Sequence, residues 1–126
     1  DNMERKDCIF CRIADRDIPS PLLYEDEDIV AFNDLHPLEP VHVLVIPKKH
    51  IASLAEMTEA DSRLLGKMNW VVKRLAEELG IAESGYRVVC NCRADSGQEI
   101  AHLHYHLLGG HFLGPFAQEQ LTRAAK

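Results

Sequence analysis

Ala101-His102-Leu103-His104-Tyr105-His106-Leu107-Leu108 is the stretch that says most about the fold of this chain. Histidine alternates with apolar residues along it, and successive side chains of a β-strand point to opposite faces of the sheet. The pattern predicts a strand over residues 101–108 that ends at Gly109-Gly110. We expect three imidazoles on one face of this strand and three apolar side chains on the other.

The segments on either side predict the remaining elements. Apolar residues at helical spacing predict one long helix over 58–79, with Thr58 as N-cap and Gly80 as the residue that ends it. β-rich runs predict strands over 22–24, 29–33, 42–46 and 86–91, and a short helix is expected over 9–14. Five strands that are mostly adjacent in sequence, with one long helix, predict an α+β fold built on a five-stranded antiparallel meander sheet.

The size and charge of the chain limit its class. Its 126 residues, 46% hydrophobic and 27% charged, predict one globular domain over 1–126, with a core at 8–110 and a tail at 111–126 that frays beyond 117. The net charge of −6 argues against binding of a nucleic acid polymer but is compatible with a single nucleotide. No apolar run approaches the roughly 20 residues of a membrane span, and no secretory signal is visible. We therefore expect a cytoplasmic protein whose four cysteines are reduced.

The alternating imidazoles point to phosphorus chemistry. A neutral histidine can attack phosphorus through one ring nitrogen while the other nitrogen holds its proton against an acceptor. A second imidazole about 6.6 Å along the same strand face can donate to a phosphate oxygen. The preceding loop, Asp95-Ser96-Gly97-Gln98, offers backbone N–H groups to phosphate. The alternative is a histidine-rich polar strand face or a weak metal patch.

Several segments together resemble the histidine triad family, and in particular its nucleotide-binding branch. The resemblance covers residues 8–110 and is strongest in the stretch from Gly97-Gln98-Glu99 through the histidine run to Gly110. It extends, in the same order along the chain, to Asp7-Cys8-Ile9-Phe10-Cys11-Arg12-Ile13, Ala31-Phe32-Asn33-Asp34 and His42-Val43-Leu44-Val45-Ile46-Pro47-Lys48-Lys49-His50. It implies a histidine triad fold.

The resemblance also implies roles for individual residues. His104 would be the nucleophile, His106 would contact the α-phosphate, and His42 would support the triad of His102, His104 and His106 from behind. Asp34 would bind the ribose hydroxyls. Polar contacts to the nucleotide would come from Asn33, Asn91, Gly97, Gln98 and Glu99, and an apolar slot for the base from Ile9, Phe10, Ile13, Phe32 and Leu35. The apolar character of those last five residues, taken alone, is equally typical of a core.

Two positions depart from the family pattern. Glu99 stands where better-known members carry a small hydroxyl residue, and His111 stands where arginine is common. A carboxylate at position 99 would repel phosphate unless it is protonated or turned away, and it could favour a cationic amine as leaving group. Because of these departures, the resemblance does not fix the identity of the substrate.

Cys8 and Cys11 have the Cys-x-x-Cys spacing of a zinc knuckle, and His50 and His102 are candidates for the other two ligands. The arrangement resembles the structural zinc site of some family members. Two other interpretations are a redox-active thiol pair and two buried cysteines. Cys90 and Cys92 are expected to be free thiols.

The activity implied by the resemblance is that of a hydrolase or nucleotidyl transferase. Its substrates would be purine nucleoside 5′-monophosphate derivatives, above all phosphoramidates, cleaved through a covalent nucleotidyl-histidine. Two alternatives are a dinucleoside polyphosphate hydrolase of the same superfamily and a nucleotide-binding adaptor with vestigial catalysis. The resemblance also implies a homodimer, for which Met68, Trp70 and Val71 are candidate contacts unless they belong to the core.

Overall fold

A computed structural model describes residues 4–115. Its elements are the short helix α1 (Ile9–Ala14), the long helix α2 (Ser62–Glu78) and the strands β1 (Tyr24–Glu25), β2 (Ile29–Asn33), β3 (Val41–Pro47), β4 (Tyr86–Val89) and β5 (Tyr105–Gly109). The predicted fraying beyond residue 117 lies outside the described residues.

The five strands form one antiparallel sheet in the order β1-β2-β3-β5-β4, which confirms the predicted α+β class. The sheet departs from a simple meander at one place, because β5 lies between β3 and β4. The burial of the two strands fits this order: β5 has buried residues at every second position, whereas β4 has none. A half-exposed strand is suited to the edge, and the histidine-bearing strand therefore lies inside the sheet.

Helix α2 has sequence-encoded ends. A single 3₁₀ turn precedes it, in which the carboxylate of Asp61 accepts a hydrogen bond from the backbone N–H of Thr58 at 2.9 Å. At the other end Gly80 has a φ of +76°, and the N–H of Ile81 bonds to the carbonyl of Ala76 at 3.0 Å. This is a Schellman motif, and it stops the helix where the glycine predicts.

The two faces of the sheet pack against different helices. One face and α2 form the larger core cluster, which includes Ile29, Val43, Val45, Met68, Leu75 and Leu107. The opposite face and α1 form a second cluster, which includes Phe10, Cys11, Ile13, Phe32, Leu44 and Ile46. Because side chains alternate along a strand, His42 on β3 and His106 on β5 belong to the α1 face. The short N-terminal helix, and not the long one, therefore adjoins the histidines.

Three predicted strands have different bounds. The histidine strand begins only at Tyr105, because residues 100–102 bend and Leu103 donates its N–H to the carbonyl of Ile51 at 2.6 Å. The strand predicted over 86–91 ends at Val89, and the strand predicted over 22–24 comprises only Tyr24 and Glu25.

Two of the three candidate dimer contacts belong to the core. Met68 and Val71 are 0% and 1% exposed and face the sheet, so they are unavailable to a partner. Trp70 lies on the other side of α2 and is 55% exposed. Within the described residues, α2 is too short and too polar to cross a membrane, and so are the other helices.

Candidate active site

A cavity of about 380 Å³ opens on the α1 face of the sheet. Its volume falls within the range of small-molecule sites. Eight residues predicted for the site line this cavity: Phe10, Asp34, His42, Asn91, Gly97, Glu99, His104 and His106. The fold thus brings together segments that are up to 96 positions apart in the sequence.

The orientation of His104 is set by the backbone just before it. Its Nδ1 lies 2.7 Å from the carbonyl oxygen of His102, and a carbonyl can only accept, so Nδ1 carries the proton. The lone pair is therefore on Nε2. The ring is 5% exposed, and the edge-on ring of Phe10 packs against it with a centroid separation of 5.2 Å. This tautomer leaves the Nε2 lone pair of His104 free of the backbone, as a nucleophile requires.

A chain of hydrogen bonds fixes the opposite arrangement at His106. The backbone N–H of Leu38 donates to Nδ1 of His42 at 3.0 Å, which places the proton of His42 on Nε2. That Nε2 lies 2.8 Å from Nδ1 of His106, so His106 accepts there and carries its own proton on Nε2. His104 and His106, with ring centroids 5.0 Å apart, are thus held as a lone-pair nitrogen beside a hydrogen-bond donor.

Burial keeps His106 neutral. Desolvation first, and then the neighbouring imidazoles of His104 and His42, lower the pKa of His106 to about 4. At neutral pH the ring therefore has one donor and one acceptor, which agrees with its place in the hydrogen-bond chain.

Asp34 lies at the start of the loop between β2 and β3. Its Oδ1 accepts the backbone N–H of His36 at 2.8 Å, and its Oδ2 is 3.4 Å from Nε2 of His42. We assign the proton of His42 to the shorter contact with His106. The Asp34 side chain stays 21% exposed, so its oxygens keep lone pairs available to a vicinal diol.

The loop before β5 is held in a strained shape. Arg93 has φ 64° and ψ −169°, a region that side-chain-bearing residues rarely adopt. Gln98 stabilises this shape: its Oε1 accepts the N–H of Arg93 at 2.6 Å, and its Nε2 donates to the carbonyls of Ala52 and Ile100 at 2.8 and 2.9 Å. Gln98 is predicted as a nucleotide contact, but its amide is used within the protein and it does not line the cavity.

Replacing Gln98 with leucine is therefore expected to loosen the loop. Three hydrogen bonds are lost, and relief of the strain at Arg93 offsets only part of that loss, so we expect the free energy of unfolding to fall by about 1–3 kcal/mol. Thermal unfolding and hydrogen exchange at the Arg93 amide measure this. Ser96→Ala is the control, because it removes one exposed hydrogen bond, to the carbonyl of Arg93, from the same loop. Equal effects of the two substitutions would contradict the role of Gln98.

The apolar wall differs from the predicted slot. Of the five residues predicted, only Phe10 lines the cavity; Ile13 and Phe32 are buried in the core behind it. Ile9 is 48% exposed because the other side of α1 faces the sheet, and Leu35 is 89% exposed in the turn after β2. Asn33 also points away, since it alternates with Phe32 and so faces the other side of β2. The wall is completed by residues that the sequence analysis did not identify: His36, Leu38, Leu44 and Ile100.

Beside the cavity lies a compact cluster of Cys8, Cys11, His50 and His102. Nδ1 of His102 is 3.3 Å from Sγ of Cys8, 3.5 Å from Sγ of Cys11 and 3.2 Å from Nδ1 of His50. Nε2 of His102 contacts the carbonyl of Pro47 at 2.8 Å and so carries the proton, which leaves the Nδ1 lone pair facing the cluster. His102 is fully buried and does not line the cavity, so its side chain belongs to this cluster.

The cluster has the dimensions of a tetrahedral zinc site. Bonds of about 2.3 Å to sulfur and about 2.05 Å to nitrogen put neighbouring ligand atoms about 3.3–3.8 Å apart. The measured separations of 3.2–3.5 Å agree with this to a few tenths of an ångström. Burial and the adjacent Cys8 thiol raise the pKa of the Cys11 thiol, whereas a redox-active thiol needs a lowered one. The separations fit a metal, and the raised pKa of Cys11 argues against a redox pair.

Comparison with known proteins identifies the family of this chain. The family model described as "Scavenger mRNA decapping enzyme C-term binding" matches residues 7–122. A purine nucleoside phosphoramidase of Escherichia coli (strain K12) is 42% identical over 110 residues, which is 87% of this chain and 92% of that protein. A histidine triad protein from Clostridium difficile is 46% identical with a TM-score of 0.87, covering 90% of this chain and 99% of that one.

A HIT family hydrolase from Legionella pneumophila Philadelphia 1 is 45% identical with a TM-score of 0.83, covering 85% of this chain and 96% of that one. The chain therefore belongs to the histidine triad (HIT) family.

Proposed function

We propose that this HIT family hydrolase cleaves purine nucleoside 5′-phosphoramidates through a covalent nucleotidyl-histidine. The main support is the pair of tautomers in the cavity: His104 has its lone pair on Nε2, whereas His106 has its proton on Nε2. That pair matches an attack on a phosphorus whose oxygen needs a hydrogen-bond donor. The E. coli relative is a purine nucleoside phosphoramidase, which supports the choice of phosphoramidates.

The reaction has two steps. Nε2 of His104 forms a bond to phosphorus, the P–N bond of the substrate breaks, and the departing amine nitrogen takes a proton from solvent. Water then bonds to phosphorus and releases a proton, and the P–Nε2 bond breaks with its electron pair returning to His104. His106 donates to a phosphate oxygen throughout, and the carbonyl of His102 stabilises the positive charge on the His104 ring during the intermediate.

The leading alternative substrate is a dinucleoside polyphosphate. Such a chain carries several negative charges, whereas the lining of the cavity contains two carboxylates and, among residues 4–115, neither lysine nor arginine. Imidazoles and backbone groups suffice for one phosphate, but a polyphosphate chain needs cations. The lining therefore favours a substrate with a single phosphate.

A comparison of two substrates, each assayed separately, tests the proposal. Adenosine 5′-phosphoramidate is expected to show a kcat/KM roughly tenfold or more above that of diadenosine tetraphosphate, since each 1.4 kcal/mol of repulsion is a factor of ten. Product formation by each, measured separately by chromatography, gives the ratio. A preference for the tetraphosphate would overturn the proposal, and tight binding of adenosine 5′-monophosphate without turnover of either substrate would favour the adaptor.

We also propose that Cys8, Cys11, His50 and His102 hold a structural zinc ion. The ion would join the N-terminal segment to the residue whose carbonyl orients His104, without reaching the substrate. The separations within the cluster support this, and so does the Nδ1 lone pair of His102, which faces the other three residues of the cluster. The homodimer stays a prediction, for which exposed Trp70 on α2 and the edge strand β4 are the available surfaces.

A further inference from the structure

The two carboxylates of the cavity differ in what surrounds them. The carboxylate of Asp34 accepts a hydrogen bond from the N–H of His36 and lies beside His42. Glu99 is exposed and has neither a hydrogen-bond partner nor an ion-pair partner among residues 4–115. An unpaired carboxylate in a cavity built for a phosphate is electrostatically unfavourable unless another part of the ligand is positively charged.

The neighbours of Glu99 show which part of a ligand it would meet. Asp34 and the apolar residues Phe10 and Leu44 supply the surfaces suited to a ribose and a base. Glu99 belongs instead to the segment between Gly97 and His104, which approaches the cavity from the loop before β5. When His104 attacks phosphorus, the leaving group is the part of the substrate that is left to contact this polar side of the cavity.

We propose that Glu99 determines specificity by selecting leaving groups that carry a positive charge. This inference rests on the proposed phosphoramidate hydrolysis and names its preferred substrates: nucleoside phosphoramidates of amines that bear a second, protonated amino group. The carboxylate attracts that ammonium group and repels an anionic leaving group at the same position. Its contribution is discrimination between substrates, and the bond-breaking chemistry stays with His104 and His106.

Three phosphoramidates of adenosine 5′-monophosphate test this charge preference. Their leaving amines are 1,4-diaminobutane, pentylamine and 5-aminopentanoate, which carry an ammonium, a methyl and a carboxylate group, respectively, at the same position of the chain. We expect the wild-type kcat/KM for the diamine conjugate to exceed that of the pentylamine conjugate about three- to tenfold, as for a partly exposed ion pair. The conjugate of 5-aminopentanoate should be the slowest, and the spread should narrow at high salt.

Glu99→Gln keeps the shape of the side chain and removes its charge. We expect the ratio of diamine to pentylamine turnover to fall to about one in this variant, because the ion pair is gone. Glu83→Gln, which neutralises an exposed glutamate outside the cavity, should keep the wild-type ratio. Thermal unfolding of both variants confirms that each is folded.

The outcomes separate this inference from the function on which it rests. If the wild type hydrolyses all three conjugates and Glu99→Gln keeps the wild-type ratio, the role of Glu99 is refuted and the proposed function stands. If the wild type hydrolyses none of them, the proposed function fails and this inference fails with it.

Discussion

Replacing His104 with alanine is expected to reduce hydrolysis of adenosine 5′-phosphoramidate by roughly ten-thousandfold or more. The reason is structural: His104 is the residue of the cavity whose Nε2 lone pair is fixed by a hydrogen bond from Nδ1 to the backbone. His106 cannot replace it, because its Nδ1 accepts from His42 and its Nε2 carries the proton. Initial rates over a long incubation, with the product separated by chromatography, measure the loss.

His111→Ala is the matched control. It removes an imidazole seven positions further along, which is 54% exposed and outside the cavity. Its turnover should stay within a few-fold of wild type. Hydrolysis by His104→Ala at a rate near that of the control would exclude His104 as the nucleophile.

Chemical rescue distinguishes a lost nucleophile from a damaged cavity. The ring of His104 is buried against Phe10, so alanine leaves a space of imidazole size beside the substrate. Free imidazole added to His104→Ala is expected to restore part of the turnover with a rate that rises with its concentration. Mass spectrometry of the quenched wild type should show one nucleotidyl adduct, and the adduct should be missing from the variant.

The sequence predicts the identities of the reactive histidines better than it predicts their surroundings. Alternation in 101–108 identifies His102, His104 and His106 as a set, but only His106 lies on β5, and the bend at 100–102 turns the side chain of His102 to the cysteine cluster. Which ring nitrogen carries the proton depends on groups elsewhere in the fold. The N–H of Leu38 fixes the tautomer of His42, and the carbonyl of Pro47 fixes that of His102. Such tautomers are set by tertiary contacts and have no signal in the local pattern.

The apolar wall shows the same limit. Phe10, Ile13 and Phe32 all belong to the cluster on the α1 face, yet only Phe10 reaches the cavity, because the other two are packed behind it. Leu38 and Leu44 line it instead, and their positions depend on how β3 pairs with its neighbours. The end of α2 at Gly80 is predictable, by contrast, since glycine acts through local backbone geometry. The start is not, because Thr58 caps a 3₁₀ turn and α2 itself begins at Ser62 instead of residue 58.

Replacing Cys11 with serine is expected to abolish binding of the proposed zinc ion and to destabilise the fold strongly. A structural zinc site contributes its binding free energy to folding, about 10–16 kcal/mol in small zinc peptides. Even a loss of about 3 kcal/mol would lower the Tm by about 10 °C in a domain of this size. Elemental analysis of the purified protein and thermal unfolding measure the two effects.

The other two cysteines provide the control. Cys92→Ser alters a thiol that lies 3.5 Å from the hydroxyl of Ser53 and does not belong to the cluster. It should retain zinc at the wild-type stoichiometry of one per chain and a Tm close to that of wild type. A wild-type protein that stays free of zinc after refolding with zinc, and that unfolds at the same temperature as Cys11→Ser, would refute the site.

Removal of the proposed zinc ion should also affect hydrolysis, although its ligands His50 and His102 do not line the cavity. His102 contributes its ring to the cluster and its carbonyl to Nδ1 of His104, so one residue connects the two sites. Burial lowers the pKa of His102 to about 4 and raises the pKa of the Cys11 thiol. Without a metal, both side chains are therefore neutral at neutral pH. Neutral groups attract one another weakly, and the backbone of His102 then holds the nucleophile less firmly. We therefore expect chelation that leaves the protein folded to lower kcat more than it changes KM. Returning zinc should restore both constants.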